Sequence, residues 1–538
     1  MRLCSASGAG SWVLAVALTA CTLGGGDELP RGVPPAGPAP TATTAPPSTS
    51  VAPTDVPTTH NATSTEVVAI DVDAPGRPID PRLFGTNVPA WLGPDRLGAP
   101  WLREALVDAG ITTIRMPGGS WSNEYGWSAC ELRVEGCIWE GAARPSDFAA
   151  LLTATGLDGI WTVSINETAQ SAAATVAFFN GDVDDDRAIG VDRDGVDWGT
   201  VGEWASLRVE GGGLEPARIG LWEVGNEVYG GRPDAGGDQC APFGWERVWT
   251  CDGAEYVFGN DEHDGYLEIR SAMLAVDPTI EVGAVGVAEA GSWSNWGNEV
   301  IEAAGDALDF YVVHQYGFDS SPSPEATASR AAELWPPILT ELRDSLGTDV
   351  PIAITEYNLV SFEAGDTERS MTTVANALYI ADSIGQLAEH DVEIASQWNL
   401  ANGTTESGTD YGLVSAETGE RFPQFEALAA WGRAGDVLLP IEGAEHLDES
   451  SIYATRRADG SVVVTMLHPR GEPREITISL DGLQDGSSVA STSWSADTPE
   501  ATAFVTDSGR SDISSDGVVI TVLGPWSITQ LHVSPNSM

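Results

Sequence analysis

Short apolar runs alternate with longer amphipathic segments between residues 66 and 432. Eight of these runs have the length and the branched or aromatic side chains of buried strands, and they occupy residues 83–87, 111–116, 160–166, 219–224, 280–287, 310–314, 352–355 and 392–398. Segments between them, such as 101–109 and 169–180, have helical periodicity. Strands that alternate with helices predict a parallel sheet, and eight such units over about 250 residues or more predict an α/β fold of the (β/α)₈ barrel type.

The hydrophobic pattern changes after this region, over residues 433–538. Short runs of alternating apolar and polar residues, separated by Gly, Asp and Ser, lie at 461–466, 475–480 and 518–522. This pattern is typical of antiparallel strands with one buried face. We therefore predict a C-terminal β-sandwich that follows a (β/α)₈ barrel over 66–432.

Two glutamates stand where apolar runs of the barrel region stop. Glu227 ends the run 221–227, and Glu356 ends the run 352–356. The carboxyl ends of barrel strands form the rim on which active sites are built. Two carboxyl groups on one rim are the arrangement that cleaves glycosidic bonds, with one group as proton donor and the other as nucleophile or base.

The composition is strongly acidic, with 79 acidic residues, 26 basic residues and a net charge of −53. All 26 basic residues are arginines. Such a charge repels nucleic acids and anionic lipid headgroups, so neither is an expected partner. This composition favours an acidic, solvated surface over a specific cationic partner.

The N-terminus predicts export. A short apolar stretch after Arg2 is too short to span a bilayer and is typical of a signal peptide over 1–21. Residues 18–21 read Leu-Thr-Ala-Cys and resemble the lipobox of bacterial lipoproteins, so Cys21 is the expected lipidation site; the alternative is an ordinary signal peptide. Residues 22–65 are rich in Pro, Thr and Ser and predict an extended linker. We expect an extracellular protein whose contact with the membrane is a lipid anchor.

Four further cysteines form two close pairs, Cys130 with Cys137 and Cys240 with Cys251. In an exported chain these spacings predict two local disulfides. The histidines are scattered without zinc-binding spacings, so no metal and no cofactor is expected. The acidic run 182–186 could hold calcium, but it lacks the spacing of an EF-hand loop, and a solvated turn is the favoured interpretation.

Several motifs resemble a known group of enzymes. The segment Trp-Glu-Val-Gly-Asn-Glu at 222–227 and Thr-Glu-Tyr-Asn at 355–358 resemble the two catalytic segments of clan A retaining glycoside hydrolases, which lie on barrel strands four and seven. The segment Arg-Met-Pro-Gly-Gly-Ser-Trp at 115–121 is similar to a segment of family 51 α-L-arabinofuranosidases, and matches at 179–181, 277–280 and 314–316 agree with it. The family commonly has Glu-Trp-Asn where this chain has Glu356-Tyr-Asn.

The resemblance implies roles for individual residues. Glu227 would be the general acid and then the base, with a raised pKa. Glu356 would be the nucleophile, held ionised by neighbours such as Arg115 or Tyr316. Asn226 would bind the hydroxyl group beside the reacting carbon. A structural ion pair is the alternative for Arg115.

Three further residues are expected to line the substrate site. His314 stands at a strand end, where a supporting contact is favoured over simple packing. Trp398 ends the eighth predicted strand and could be a sugar platform or a residue of the barrel core. Trp121 precedes the first predicted disulfide loop and could line a subsite, although most of the 19 tryptophans must serve the core or the surface.

The leading hypothesis is a retaining, exo-acting α-L-arabinofuranosidase that acts on polysaccharide or oligosaccharide. The alternatives are another clan A activity, such as a β-xylosidase, β-glucuronidase or endo-glycanase, and a surface lipoprotein that binds glycans without cleaving them. A binding protein has no need of a proton donor opposite a nucleophile, which favours the enzyme. The oligomeric state is not predicted.

Overall fold

The computed structural model describes residues 67–534, with gaps at 213–214, 231, 234–239, 242–245, 405–407, 445–446, 448–449, 484–486, 512 and 515–516. In 211–212, 232–233 and 240–241 the side chains are also left undescribed. The chain divides into two units, 1–63 and 64–538, and all described residues lie in the second. The predicted signal peptide, Cys21 and the whole predicted linker therefore lie outside the described residues.

Eight parallel strands close into a barrel, with the first strand hydrogen-bonded to the eighth. In chain order they are Gly85–Asn87, Thr113–Met116, Asp158–Val163, Leu221–Val224, Glu281–Val285, Tyr311–Phe318, Ile352–Val360 and Ile394–Gln397. Each one overlaps one of the eight predicted runs. The predicted (β/α)₈ barrel is confirmed, and we number its strands one to eight in this order.

Helices follow the strands and cover the outside of the barrel. They are Gly93–Leu97, Pro100–Asp108, Trp127–Leu132, Pro145–Thr155, Ala169–Asn180, Val201–Gly212, Gly253–Phe258, Tyr266–Val276, Ser292–Ala304, Pro324–Leu346, Val374–Glu389 and Pro423–Gly432. Thr168 caps Ala169–Asn180 by accepting a hydrogen bond from the backbone N–H of Ser171. Among the described residues, no helix combines the length and the apolar composition that a membrane span requires.

The C-terminal region forms two sheets around a second core, so the predicted sandwich is also confirmed. The larger sheet has the strand order Arg77–Pro78, Val437–Leu439, Ser451–Arg456, Val462–His468, Ser527–Ser534, Ser488–Ser495 and Val505–Ser511. The smaller sheet has the order Ile441–Glu442, Val67–Asp71, Arg474–Asp481 and Val518–Leu523. Two short pairs of strands lie outside these sheets, at Ala401–Asn402 with Val414–Ser415 and at Arg232–Pro233 with Cys240–Ala241.

The sandwich takes strands from both sides of the barrel sequence. Val67–Asp71 lies inside the smaller sheet, parallel to Arg474–Asp481. Arg77–Pro78 lies at the edge of the larger sheet, antiparallel to Val437–Leu439. The range predicted for the barrel, 66–432, includes both strands, whereas the structure pairs them with the C-terminal strands.

Helix Val374–Glu389 packs between the barrel and the sandwich. Asp382 accepts a hydrogen bond of 2.6 Å from the hydroxyl of Tyr453, which lies on a sandwich strand. Gly385 faces the same ring, and a Cβ atom at that position would overlap it. The close approach fixes the sandwich on the side of the barrel that carries this helix.

Candidate active site

Glu227 follows the fourth barrel strand at a tight backbone turn. Gly225 has φ +85° and Glu227 has φ +42°, both in the left-handed region. For a residue other than glycine this conformation costs of order 1–3 kcal/mol, and such residues concentrate at functional sites. The turn places one carboxylate oxygen of Glu227 2.9 Å from Nδ1 of His314 on the sixth strand.

Glu356 lies within the seventh barrel strand, whose nine residues are all buried. The Arg115 guanidinium donates to Oε1 of Glu356 at 2.7 Å, and the Tyr316 hydroxyl donates to Oε2 at 2.9 Å. A donor on each oxygen fixes the carboxylate in one orientation. The structure thus brings Arg115 and Tyr316 to Glu356, as the sequence predicted.

Arg115 connects four groups at the base of the site. It is fully buried on the second strand and donates to Glu223, to Glu356, to Oδ1 of Asn226 at 2.7 Å and to Oδ1 of Asn87 at 2.9 Å. Burial by itself lowers the pKa of Arg115, but the carboxylates of Glu223 and Glu356 raise it by more. Arg115 is therefore both the ion-pair partner of Glu223 and a direct neighbour of Glu356.

Glu223 is a part of this network for which the sequence predicted no role. Its side chain is fully buried and accepts from Nε of Arg115 and, at 2.7 Å, from the hydroxyl of Thr162. The sequence does show a glutamate in the middle of an apolar run, which indicates a buried carboxylate. Gly225 can interrupt the regular strand, so the sequence did not establish whether Glu223 lies on the same face as Glu227. Glu223 supplies a second negative charge to hold Arg115 in place.

His314 lies between the two predicted catalytic carboxyl groups. Its Nδ1 is 2.9 Å from Glu227 and 3.6 Å from Glu356, and its Nε2 is 3.0 Å from the hydroxyl of Thr355. One atom from each of His314, Glu227 and Glu356 forms a set in which all distances are within 4.8 Å. The imidazole can donate to an ionised Glu227 or accept from a protonated one, because the Thr355 hydroxyl fits either tautomer.

Asn226 is fixed by a buried carboxyl group that the sequence did not reveal. Its Nδ2 donates to Oε1 of Glu246 at 2.8 Å, and Oε2 of Glu246 accepts from Asn123 at 2.6 Å. Burial and then the charge of Glu227 raise the pKa of Glu246 to about 8, against the hydrogen bonds from its neighbours. Glu246 lies in a bend outside the helices and strands, so no hydrophobic period in the sequence marked it.

Trp398 and Trp121 belong to a line of contacting indoles. Trp398, buried directly after the eighth strand, has its ring centroid 5.7 Å from that of Trp91. Trp91 lies 5.8 Å from Trp121, which is 39% exposed, and Trp121 lies 5.2 Å from Trp139. A Cβ atom on Gly119 would be 2.5 Å from the Trp398 ring, so glycine is needed there. We call Trp398, Trp91, Trp121 and Trp139 the tryptophan row.

The remaining predicted residues have separate outcomes. Cys130 and Cys137 form a disulfide with a Cα–Cα distance of 4.4 Å. Cys251 is disulfide-bonded, but the side chain of its predicted partner Cys240 lies outside the described ones. In the acidic run, Asp185 pairs with Arg187 at 2.5 Å. Among the described residues, the group of His, Cys, Asp and Glu atoms close enough to share an ion is the set formed by Glu227, His314 and Glu356.

Comparisons with known proteins agree with this architecture. No family model matches the chain. An intracellular exo-α-(1→5)-L-arabinofuranosidase of Bifidobacterium longum is 27% identical over 311 residues, which cover 53% of this chain and 49% of that protein. The chain spans about half the length of the curated relatives it matches.

Solved structures extend the comparison over most of the chain. An α-L-arabinofuranosidase of Thermotoga maritima in complex with arabinose has a TM-score of 0.66 at 17% identity, over 86% of this chain and 99% of that one. A family 51 α-L-arabinofuranosidase of Bifidobacterium longum has a TM-score of 0.64 at 17% identity, over 87% of this chain and 99% of that one. The fold is shared, and the resemblance that the motifs predict is confirmed.

Proposed function

We propose that this protein is a retaining glycoside hydrolase, an exo-acting α-L-arabinofuranosidase that releases arabinofuranosyl residues from polysaccharide. The observation that carries the proposal is the approach of Glu227 and Glu356 to within 4.8 Å, on either side of His314. Retaining enzymes hold their two carboxyl groups about 5–5.5 Å apart, whereas inverting enzymes leave about 6.5–9.5 Å for a water molecule. The named arabinofuranosidases that share the fold support the choice of sugar.

The first step forms a covalent bond between sugar and enzyme. A carboxylate oxygen of Glu356 attacks the anomeric carbon while the bond from that carbon to the leaving oxygen breaks. Glu227 gives its proton to the leaving oxygen, which departs as an alcohol. Arg115 and Tyr316 hold Glu356 in its attacking orientation through the hydrogen bonds on its two oxygens.

The second step releases the sugar. Glu227, now ionised, accepts a proton from a water molecule, whose oxygen attacks the anomeric carbon and displaces Glu356. Two displacements on the same carbon give net retention. His314, 2.9 Å from Glu227, can follow both protonation states because its Nδ1 either donates or accepts. Asn226 is held between Arg115 and Glu246 and presents its amide to the hydroxyl beside the reacting carbon.

A panel of aryl glycosides tests the proposal. Wild type, Glu227→Ala and Glu356→Ala are assayed on aryl arabinofuranoside, xyloside, glucuronide and glucoside, each with and without azide. We expect turnover of the arabinofuranoside by the wild type, with NMR showing retained configuration. Azide should restore activity to Glu227→Ala with retention, and to Glu356→Ala with inversion.

Other outcomes point elsewhere. Activity that survives Glu356→Ala would remove this residue as nucleophile. Turnover of another glycoside in place of the arabinofuranoside would identify a different clan A activity. Binding of glycans without turnover of any substrate would leave a non-catalytic surface protein.

Glu227, His314 and Glu356 could also share a cation, which offers a separate test. Both oxygens of Glu356 already accept from donors, and the double displacement uses the carboxyl groups directly. We expect dialysis against EDTA to leave the turnover of aryl arabinofuranoside unchanged. A loss that is reversed by one added metal would show that the three residues hold an ion.

We propose that the protein is exported and anchored through an acylated Cys21, with residues 22–65 as a tether. The support is the sequence of the N-terminus alone. Blocking the lipoprotein signal peptidase should leave an unprocessed precursor in the membrane. An unchanged, soluble mature form would contradict acylation.

A further inference from the structure

The tryptophan row begins beside the catalytic strands and leads away from them. Trp398 follows the eighth strand, and the eighth strand pairs with the seventh, which carries Glu356. Trp91 follows the first strand, and Trp121 follows the second. Strands eight, one and two are neighbours in the barrel, so the row lies along one continuous section of the rim.

The outer end of the row is accessible and firmly held. Trp121 is 39% exposed although its ring contacts two other indoles. Trp139 follows the loop closed by the Cys130–Cys137 disulfide. Arg133 lies within this loop, and its guanidinium donates to the carbonyl oxygens of Glu140 at 3.0 Å and Ala142 at 2.8 Å, on either side of Gly141 in the segment that follows Trp139. Side chains that are ordered before binding lose little conformational entropy when a ligand arrives.

The chemistry of the row fits a carbohydrate chain. Sugar rings have apolar C–H faces and polar edges, and an indole offers an apolar face together with one N–H donor. The net charge of −53 disfavours polysaccharides that carry uronate or sulfate groups. A neutral glycan is therefore the class of ligand that can pack on the indole rings without being repelled by the charge of the protein.

We propose that the tryptophan row binds the neutral backbone of a polysaccharide, beyond the sugar that is cleaved. This inference rests on the proposed function, because an exo-acting site fills the barrel mouth with the terminal sugar. The remainder of the substrate must then leave the mouth along the rim. Trp91 joins Trp398 to Trp121, and Trp139 extends the row past Trp121. A row of this length makes a polymer, instead of a small glycoside, the preferred substrate.

The test compares polymer with small substrate in one set of variants. The ratio of kcat/KM on neutral arabinoxylan to kcat/KM on aryl arabinofuranoside is measured for wild type, Trp139→Ala and Trp139→Phe. We expect the ratio to fall about fivefold in Trp139→Ala and to be largely retained in Trp139→Phe, which keeps an aromatic face. Phe258→Ala is the control, since Phe258 is 63% exposed on a helix outside the row.

A second measurement separates this inference from the proposed function. Retardation in native gels that contain arabinoxylan reports binding of the intact protein without any turnover. If the wild type cleaves neither substrate, the proposed function fails. Weaker retardation of Trp139→Ala than of Phe258→Ala would even then support the binding of polysaccharide by the tryptophan row. Equal ratios and equal retardation in wild type and Trp139→Ala would overturn the inference.

Discussion

At the scale of single residues, the site depends on one arginine. Arg115 is fully buried and neutralises two carboxylates while it holds Asn226 and Asn87. A guanidinium can do this because its donors form a rigid planar fork, which a lysine does not have. Loss of this side chain leaves buried negative charge without a partner, and that is far more destabilising than loss of an exposed pair.

We therefore predict that Arg115→Ala lowers the free energy of unfolding by about 3–5 kcal/mol. Urea denaturation measures the change. Arg247→Ala is the matched control, because Arg247 pairs with Glu124 but is 80% exposed, and its loss should change stability by less than about 1 kcal/mol. Similar losses in the two variants would show that the buried network contributes little.

Glu246 gives the site a dependence on pH. Its pKa is raised to about 8 in the folded protein, against about 4.3 for an unperturbed glutamate. Between these values the folded state keeps a proton that the unfolded chain has lost. The unfolded state then binds fewer protons, so the contribution of Glu246 to stability falls as the pH rises.

The variant Glu246→Gln tests this linkage. Both oxygens of Glu246 accept hydrogen bonds from amide groups. In Glu246→Gln one of these oxygens becomes an NH₂ group that faces an amide donor, so the free energy of unfolding should fall by about 1–3 kcal/mol at pH 5. The variant cannot titrate at this position, so its deficit relative to wild type should shrink between pH 5 and pH 8. Unfolding by urea at both values measures the deficit, and an equal deficit would contradict the raised pKa.

The residues found from sequence and those missed differ in their surroundings. Glu227 and Glu356 end predicted apolar runs and belong to recognisable motifs, and the structure places them together with His314. Glu246 reaches the site from a loop, where contacts depend on the path of the chain and not on any local period. Glu223 stands in an apolar run, which indicates burial. Its ion pair with Arg115 could not be predicted, because the two residues are distant in sequence.

At the scale of elements, the buried strands and helices were the most predictable parts. Helix Ala169–Asn180 was predicted with its observed bounds, because Thr168 caps its start and its side chains are almost all small or apolar and buried. The seventh strand extends to Val360, beyond the predicted end at 355, since it continues through polar residues that the active site buries. The Cys130–Cys137 loop was predicted from spacing, whereas its contact with the tryptophan row was not.

The disulfide loop offers a prediction at this scale. Replacing both Cys130 and Cys137 with Ser should lower the free energy of unfolding by about 2–3 kcal/mol, the value for a short closed loop. The variant is a cleaner test than a reducing agent, because reduction would also open the bond of Cys251. Thermal and urea unfolding measure the loss; stability equal to that of wild type would show that Arg133 and packing already hold the loop.

At the scale of the whole molecule, the sandwich depends on strands that precede the barrel in the chain. We predict that a protein starting at residue 67 unfolds like the full chain, and that one starting at residue 79 is insoluble or strongly destabilised. The second truncation removes Val67–Asp71 from the interior of the smaller sheet and exposes the core around Val68 and Ile70. Thermal unfolding of both truncations, produced in an oxidising compartment, measures the difference, and equal stability would contradict it.

The same arrangement sets an order of events during synthesis. Val67 pairs with Thr477, which is 410 positions later in the chain (477 − 67). Apart from the closing pair of the first and eighth strands, neighbouring strands of the barrel are consecutive along the chain and can pair as they emerge, whereas pairings as distant as 410 positions form slowly. Until Ile441–Glu442 and Arg474–Asp481 are made, Val67–Asp71 is an apolar strand with unpaired edges, open to strands of other chains. We therefore expect aggregation of the nascent protein to depend on this sandwich strand, and not on the residues at the mouth of the barrel.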